Sequence, residues 1–307
     1  MLKSALPKPL DTFGGDSLAC ILPQTAMTVE TRIEQLQEHI SQLTFDLNVL
    51  RRRDEQINGV ITRLDEEQRL AARLQQDFLP KRLPQVGPIH FSTLYRPASY
   101  VSGDLYDVTQ LDEHHIGFYV ADAVGHGMPA ALLTMFMKNA LVTKEISANG
   151  YRLLHPAETL SKLNVSLCQQ NLSNATFATA VYGTIDTRSL QMSLCRGGHP
   201  SPVLIRNAAL HDLGVDGALL GIFPDEVFTE TVIQLQAGDR VVVYTDGIEV
   251  AFSEDDRPDN DRWRGEILSR ADQHSEIMLQ NFAARVDSHN GSLLPKDDLT
   301  IVAFDVR

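Results

Sequence analysis

The chain has few of the residues that build disulfide frameworks and none of the long apolar runs that cross membranes. Its three cysteines, Cys20, Cys168 and Cys195, are far apart and show no C-x-x-C spacing. This pattern is typical of reduced thiols in a cytoplasmic protein. No apolar run approaches the roughly 20 residues that span a bilayer, and residues 1–26 have no apolar signal-peptide region. We therefore expect a cytoplasmic location and no membrane insertion.

Basic residues are also scarce. The 27 lysines and arginines are outnumbered by 40 aspartates and glutamates, so the formal net charge is −13. A charge of this sign argues against nucleic acid and anionic membranes as main partners. It suits a cation-binding site, but many acidic enzymes share it. Charge alone therefore identifies no function.

Residues 29–80 carry a heptad pattern. Apolar residues recur at alternating spacings of three and four, at Ile33, Leu36, Ile40, Leu43, Leu47, Leu50, Ile57, Ile61, Leu64, Ala71 and Phe78. This spacing predicts a coiled-coil seam, which Asp54, Gln68 and Gln75 interrupt with polar side chains. The alternative is an amphipathic helix that lies on its own domain. The length of the pattern favours a parallel homodimer through the coiled coil.

The sequence after residue 80 changes from one long helical pattern to short β segments. Prolines at 80, 84 and 88 end the helix. Helices are predicted at 129–147, 156–172 and 262–287, and a polar surface loop at 253–265. Strands and helices come in blocks, which predicts an α+β fold with mainly antiparallel sheets. We therefore divide the chain into a flexible arm (1–28), a coiled-coil or regulatory helix (29–80) and a β-rich domain (81–307).

Two aspartates are predicted to face each other across a β-hairpin. The segments YVSGDLYDVTQ and HIGFYVAD are joined by a short acidic turn. A three-residue turn sets residue 111 opposite 115, and counting outward places Asp104 opposite Asp122. Like charges directly opposite each other destabilise a sheet. A cation lying between the two carboxylates would explain the pair.

Further aspartates occur at strand ends in the C-terminal part of the chain. Asp246 ends DRVVVYTDG, and Asp297 and Asp298 begin DDLTIVAFDV. In antiparallel neighbours the end of one strand lies beside the start of the next, so Asp246 is expected to meet Asp297 or Asp298. An aspartate alone is commonly a turn residue. Four carboxylates without Cys or His, however, form the oxygen-only site that Mg²⁺ or Mn²⁺ prefers.

A family resemblance rests on segments that occur in order across residues 90–307. The segments are SGDLYD, ADAVGHGMPAAL, FATAVYGTID, GGHPSPVL, LLGIFPD, VVYTDGIEVA and DDLTIVAFDV. Together they resemble the PPM-type (PP2C-like) serine/threonine phosphatases, in the bacterial branch of SpoIIE and RsbU. The resemblance implies a β-sandwich of two antiparallel sheets flanked by helices, with a pair of Mn²⁺ or Mg²⁺ ions at one end.

The resemblance also implies roles for individual residues. Asp122 is expected to bridge the two metal ions, and the carbonyl of Ala123 to help hold one of them. Asp246 and Asp297 are expected to hold the other ion, and Asp104 to serve the site near the second. Asp122 and Asp246 would then be catalytic, with water activated by the metals as the nucleophile.

The histidines and arginines near these segments are less clearly assigned. Relatives carry a histidine that resembles a general acid, at a shorter spacing from the bridging aspartate than His126 has here. His126 is therefore a candidate catalytic residue, with a structural role in the loop as the alternative. His199 is interpreted as a structural histidine. No arginine clearly matches the phosphate-binding arginine of relatives, although Arg96 and Arg196 are conceivable.

The expected function is hydrolysis of phosphoserine or phosphothreonine on a partner protein. The usual substrates of the family suggest a phosphorylated anti-sigma-factor antagonist of the STAS type. One alternative is a catalytically silent PPM-like dimer that acts as a signalling or binding module, and another is a phosphatase of small metabolites. The four retained aspartates favour the enzyme.

Overall fold

The structure, a computed structural model, describes residues 29–148, 150–170, 177–214, 216–252, 260–290 and 296–307. The arm predicted at 1–28 and residues 253–259 of the predicted polar loop lie outside these ranges. The chain divides into two units, Met1–Leu64 and Asp65–Arg307.

The long helix predicted from the heptad pattern is confirmed as α1 (Val29–Phe78). The apolar side chains at its heptad positions between residues 33 and 64 are solvent-exposed, from 48% at Ile33 to 62% at Leu43. The last turns, from Asp65 onward, belong to the second unit. No helix in the described ranges is both long and apolar enough to cross a membrane.

The second unit is built from short strands and shorter helices. The strands are β1 (Gln85–Val86), β2 (Ile89–Arg96), β3 (Asp104–Gln110), β4 (His115–Ala123), β5 (Lys144–Ser147), β6 (Gly150–Leu153), β7 (Ala178–Asp186), β8 (Gln191–Gly197), β9 (Val203–Arg206), β10 (Ala209–Asp212), β11 (Glu230–Gln234), β12 (Arg240–Tyr244) and β13 (Leu299–Val306). The helices are α2 (Met128–Ala140), α3 (Pro156–Gln169), α4 (Gly247–Ala251), α5 (Asn260–Leu268) and α6 (Ser275–Asn290).

Eleven of these strands form two large antiparallel sheets, as the resemblance implies, and β5 and β6 form a separate pair. The six-stranded sheet has the order β1-β2-β13-β12-β9-β10, and the five-stranded sheet has the order β11-β8-β7-β4-β3. The hairpins β3–β4 and β7–β8 join neighbours along the chain, whereas β13 pairs with both β2 and β12. The last strand therefore lies in the middle of its sheet, next to strands far away in sequence.

Two hydrophobic clusters hold these layers together. Phe91 and Phe304 of the six-stranded sheet meet Phe118 of the other sheet, with ring centroids 6.5 Å and 5.6 Å from it. Successive residues of β12 belong to different clusters, because Val243 packs between the sheets and Val242 packs on the helix side. Helices α4–α6 thus cover the outer face of the six-stranded sheet, which explains why its central strands are apolar on both faces.

Two of the helix predictions were wrong in extent. The helix predicted to reach residue 147 ends at Ala140, and residues 144–147 instead form β5, which pairs with β6. The β-branched residues Val142, Thr143 and Ile146 favour extended backbone there.

The helix predicted at 262–287 is two helices, α5 and α6. The backbone N–H of Ser275 starts α6 and donates to Asp305 over 3.0 Å. Residues 260–265, predicted as part of a surface loop, begin α5. Trp263 there is fully buried, with its ring 4.6 Å from that of Tyr244.

Candidate metal centre

The β3–β4 hairpin places two carboxylates face to face. Leu111 N–H donates to the carbonyl of His115 over 2.8 Å and closes the turn. The register that follows puts Asp104 opposite Asp122, as the hairpin count predicts. Opposite residues of an antiparallel pair have Cβ atoms about 4.5–5.5 Å apart and point to the same face.

The six-stranded sheet contributes two more aspartates at the same end of the sandwich. Asp246 follows β12, and Asp297 precedes the neighbouring strand β13. Gly247 allows this approach, because a Cβ atom at this position would lie 1.9 Å from the carbonyl oxygen of Asp298. The glycine after Asp246 therefore lets the two chain segments touch.

The four aspartates line one cavity of about 400 Å³. Its other lining residues are Ala123, Val124, Gly125, His126, Phe177 and Thr179. Asp104 is buried at the base, with 1% of its surface exposed. Asp246 and Asp297 are solvent-exposed at the mouth. The cavity is thus an acidic depression with oxygen ligands at its base and at its rim.

Burial and mutual repulsion favour the protonated forms of these carboxyl groups. Burial raises the pKa of Asp104 and of Asp122 well above the ordinary range, and each is raised further by neighbouring aspartates. Thr245 opposes the rise in the pKa of Asp104, because its hydroxyl donates to Asp104 Oδ2 over 2.7 Å. Partial removal of water also raises the pKa of Asp246 and Asp297, which are more accessible. A cation in the cavity would favour the ionised forms of all four groups.

The structure distinguishes Asp297 from Asp298, a choice that the sequence leaves open. Both carboxylate oxygens of Asp298 accept backbone N–H groups, from Ala98 and Gly103, over 2.7 Å each. Asp298 therefore holds the loop before β3, whereas Asp297 faces the cavity.

The loop after β4 shapes one wall of the cavity. Gly125 and Gly127 have φ values of 91° and 73°, in the region that glycine adopts readily. They turn the chain so that α2 begins at Met128. His126 between them is exposed and lies near enough to Asp297 to oppose part of the rise in the pKa of that carboxyl group.

The role of Gln75 is not apparent from the sequence. Interpreted there as a polar interruption of the coiled-coil seam, Gln75 is buried against the loop before β3. Its amide donates to the carbonyl of Ser102 over 2.7 Å and accepts the N–H of Ser102 over 2.9 Å. Ser102 Oγ in turn accepts the N–H of Asp104 over 3.0 Å. No sequence pattern signals this contact, because 27 residues separate the glutamine from the serine.

The arginines that sequence analysis considered lie outside the cavity lining. Arg96 is paired with Asp287 of α6, with Nη2 2.9 Å from Oδ2. Arg196 donates to the carbonyl of His199 over 2.7 Å. Both side chains are therefore engaged in contacts that support the fold.

The donor set fits hard divalent cations. In the described part of the chain, no three Asp, Glu, His or Cys side chains are already gathered as a metal-ligand group. Carboxylate and carbonyl oxygens are nevertheless the ligands that Mg²⁺ and Mn²⁺ prefer. The residues that line the cavity supply these oxygens without a thiolate or a buried imidazole among them.

Comparisons with known proteins point to the same family as the motifs. A family model described as Stage II sporulation protein E (SpoIIE) matches residues 112–307. Two relatives from Bacillus subtilis (strain 168) are phosphoserine phosphatase RsbU, 28% identical over 208 residues, and phosphoserine phosphatase RsbP, 29% identical over 187 residues. These matches cover 66% and 59% of this chain, and 60% and 45% of the two relatives. The chain thus spans only about half of their length.

A solved structure supports the fold. The SiaA-PP2C domain of Pseudomonas aeruginosa is 25% identical, with a TM-score of 0.69, and the match covers 81% of this chain and 99% of that domain. The two-sheet architecture found here is accordingly the PP2C fold. Because the family model also matches more than half of the chain, the chain belongs to the SpoIIE family.

Proposed function

We propose that the protein is a metal-dependent phosphatase that hydrolyses phosphoserine or phosphothreonine on a signalling partner. One observation carries this proposal. Asp104 and Asp122 face each other across the β3–β4 ladder, and both line one cavity together with Asp246 and Asp297. Four carboxylates at strand ends are costly to a fold unless cations offset their charge. The names of the RsbU and RsbP relatives support phosphoserine as the substrate group.

The positions of the residues support a separate role for each of them in holding the metal ions. Asp122 faces Asp104 across the ladder and is near enough to Asp246 and Asp297 for both to raise its pKa, so Asp122 is the residue that would serve both ions. Asp246 and Asp297 would hold one ion from the six-stranded sheet, and the carbonyl of Ala123 would contribute from β4. Bound divalent ions supply Lewis acidity toward a phosphate ester and lower the pKa of water.

The lining of the cavity favours direct hydrolysis without a covalent phosphoenzyme. It contains no cysteine or serine among the described residues, and its one hydroxyl, that of Thr179, is hydrogen-bonded to His199. His126 is exposed at the mouth, where we propose that it donates a proton to the leaving oxygen. His126→Ala would then slow turnover most for substrates with poor leaving groups.

We propose a folded phosphoprotein as the substrate, namely an anti-sigma-factor antagonist of the STAS type. The mouth of the cavity is solvent-exposed at Val124, His126, Asp246 and Asp297. A phosphorylated side chain can enter such a mouth while the rest of its protein stays outside. The branch of the family to which the motifs point supports the STAS type. A cytoplasmic location, expected from the cysteines, would fit this partner.

We further propose a homodimer formed by the exposed apolar residues of α1. The stripe from Ile33 to Leu64 has the heptad spacing of a coiled coil, and its side chains are exposed. Parallel pairing would bring two copies of the phosphatase domain to the same end of the helix pair.

The test of the activity is initial-rate measurement with p-nitrophenyl phosphate and with a phosphorylated STAS protein, with and without Mn²⁺. We expect turnover that chelation abolishes, and loss of at least about 100-fold in Asp122→Asn and Asp246→Asn. Asp225→Asn, at an exposed position away from the cavity, is the matched control. Full activity of a folded Asp246→Asn protein, or no Mn²⁺-dependent turnover in the wild type, would contradict the proposal and leave a binding module as the better interpretation.

A further inference from the structure

Thr179 lies directly beside the proposed bridging carboxylate. It belongs to β7 and stands opposite Asp122 in the β4–β7 register. Opposite residues point to the same face of a sheet, with Cβ atoms about 4.5–5.5 Å apart. Thr179 also lines the cavity. The side chain of Thr179 therefore lies on the same face of the sheet as the carboxylate of Asp122.

The hydroxyl of Thr179 is held by a buried histidine. His199, fully buried in the loop after β8, has its Nδ1 2.8 Å from Thr179 Oγ1. The loop is fixed on both sides, because Gly198 N–H donates to Gly217 over 3.0 Å and Arg196 donates to the carbonyl of His199 over 2.7 Å. Burial lowers the pKa of His199 to about 3. The imidazole is therefore neutral near pH 7.

A neutral imidazole has one donor and one acceptor nitrogen. The backbone of Tyr244 raises the pKa of His199 somewhat, as a nearby carbonyl does for a ring N–H, although Nε2 has no hydrogen bond of ordinary geometry among the described residues. The nearby backbone of Tyr244 favours the tautomer that carries its proton on Nε2. Nδ1 is then the acceptor, and the hydroxyl of Thr179 donates to it.

This arrangement directs the hydroxyl proton of Thr179 away from Asp122. A hydroxyl that donated to Asp122 would occupy carboxylate lone pairs that a cation needs. The histidine also lies between the sheets, since it contacts Thr179 of β7 and approaches the backbone of Tyr244, two residues before Asp246. It thus contacts the strand next to the one that carries Asp122, and it lies near the segment that leads to Asp246.

We propose that His199 is a positioning residue of the metal centre, which keeps the oxygens of Asp122 open by accepting the hydroxyl proton of Thr179. This inference rests on the proposed function, because it concerns cation binding at the same cavity. It predicts that the effect of His199 passes through the hydroxyl of Thr179. It assigns no contact between His199 and the substrate.

The test is a double-mutant cycle with His199→Leu and Thr179→Val, both close in volume to the residues they replace. Binding of Mn²⁺ is measured by isothermal titration calorimetry, so that the readout does not depend on turnover. We expect His199→Leu to weaken Mn²⁺ binding by roughly five- to tenfold, the effect of one hydrogen bond. In the Thr179→Val background the same change should alter binding by less than about twofold, because no hydroxyl remains to turn toward Asp122.

A rescue variant and a control complete the experiment. His199→Asn keeps a polar acceptor near the position of Nδ1 and should restore most of the affinity. Thr184→Val, farther along β7 and outside the cavity lining, should leave Mn²⁺ binding unchanged. Thermal unfolding in chelator verifies that each variant is folded. If His199→Leu itself fails to fold, His199→Gln replaces it in the cycle, since its amide reaches the position of Nε2.

The outcomes separate this inference from the proposed function. Equal loss of affinity in the two backgrounds would mean that His199 acts through packing alone, and unchanged affinity in His199→Leu would mean that it does not act on the site. Either result overturns the inference while wild-type Mn²⁺ binding and turnover stand. A wild-type protein that binds no Mn²⁺ would overturn both.

Discussion

At the scale of single residues, the chemistry depends on carboxylates that the fold forces together. Asp104 is almost fully buried, and Asp122 faces it across the ladder. Each would be ionised at neutral pH if it were exposed, because the ordinary pKa of aspartate is about 4. The fold instead raises the pKa to about 8 for Asp104 and about 9 for Asp122. Without a cation, the folded protein therefore binds protons more tightly than the unfolded chain does.

This difference predicts how stability depends on pH in the presence of a chelator. A folded state that binds more protons than the unfolded state loses stability as pH rises. Stability is lost from about pH 4, the ordinary pKa of a carboxyl group, up to the raised pKa values of about 8 and 9. We expect the Tm of the chelated protein to fall between about pH 6 and about pH 9. In Asp122→Asn, which lacks one charge of the pair, it should fall less.

The measurement is differential scanning calorimetry in EDTA at several pH values, with Asp225→Asn as the control for loss of an ordinary carboxylate. Added Mn²⁺ should stabilise the wild type more at high pH than at low pH, because binding then displaces fewer protons. Identical pH dependence in wild type and Asp122→Asn would show that this carboxyl group does not titrate as inferred.

At the scale of elements, the end of α1 is joined to the loop that precedes the buried Asp104. Gln75 pairs with both backbone groups of Ser102, as a neighbouring strand would. Asp298 accepts the N–H of the next residue, Gly103. The position of Asp104 therefore depends on a helix and a strand that are remote from it in sequence.

Gln75→Leu should raise the Mn²⁺ concentration needed for half-maximal activity several-fold. The substitution leaves the buried N–H and C=O of Ser102 unpaired, which costs about 1–3 kcal/mol per group and loosens the start of β3. Gln76→Leu, on the exposed side of the same turn, is the matched control and should behave as the wild type. Superimposable rate curves for Gln75→Leu and wild type would show that the contact only anchors the helix.

At the scale of the whole molecule, the fold leaves the apolar stripe of α1 exposed. Its leucines and isoleucines remain more than 45% exposed between Ile33 and Leu64. Monomeric proteins rarely expose long contiguous apolar surfaces. Heptad spacing gives this stripe the form that a second copy of the same helix would cover.

Lysines in the stripe should therefore separate the dimer. Light scattering should give twice the monomer mass for the wild type and the monomer mass for the double variant Ile40→Lys with Leu43→Lys. The exposed neighbour Ser41→Lys, off the seam, should remain dimeric. Since neither apolar residue is buried within the chain, folding of the 65–307 unit should be unaffected. A double variant that stays dimeric at micromolar concentration would place the interface elsewhere.

Local patterns in the sequence were sufficient for the helix and for half of the candidate site. The heptad spacing determined α1, because helical period and apolar spacing are properties of one continuous segment. The short turn at residues 112–114 determined that Asp104 faces Asp122, because antiparallel register follows from turn length. The same reasoning predicted a helix that continues seven residues beyond the end of α2, and it predicted α5 and α6 as one helix. Both errors arise because weak local preferences do not fix where a helix ends.

Only the tertiary structure decided the contacts between segments that are distant in the chain. Asp246 and Asp297 join the hairpin aspartates because two sheets pack face to face, and Asp298 turns to the loop at Gly103 because β13 lies in the middle of its sheet. The pairings of Gln75 with Ser102 and of His199 with Thr179 likewise depend on how layers stack. Packing of a whole core sets these distances, and no spacing within a single segment of sequence encodes them.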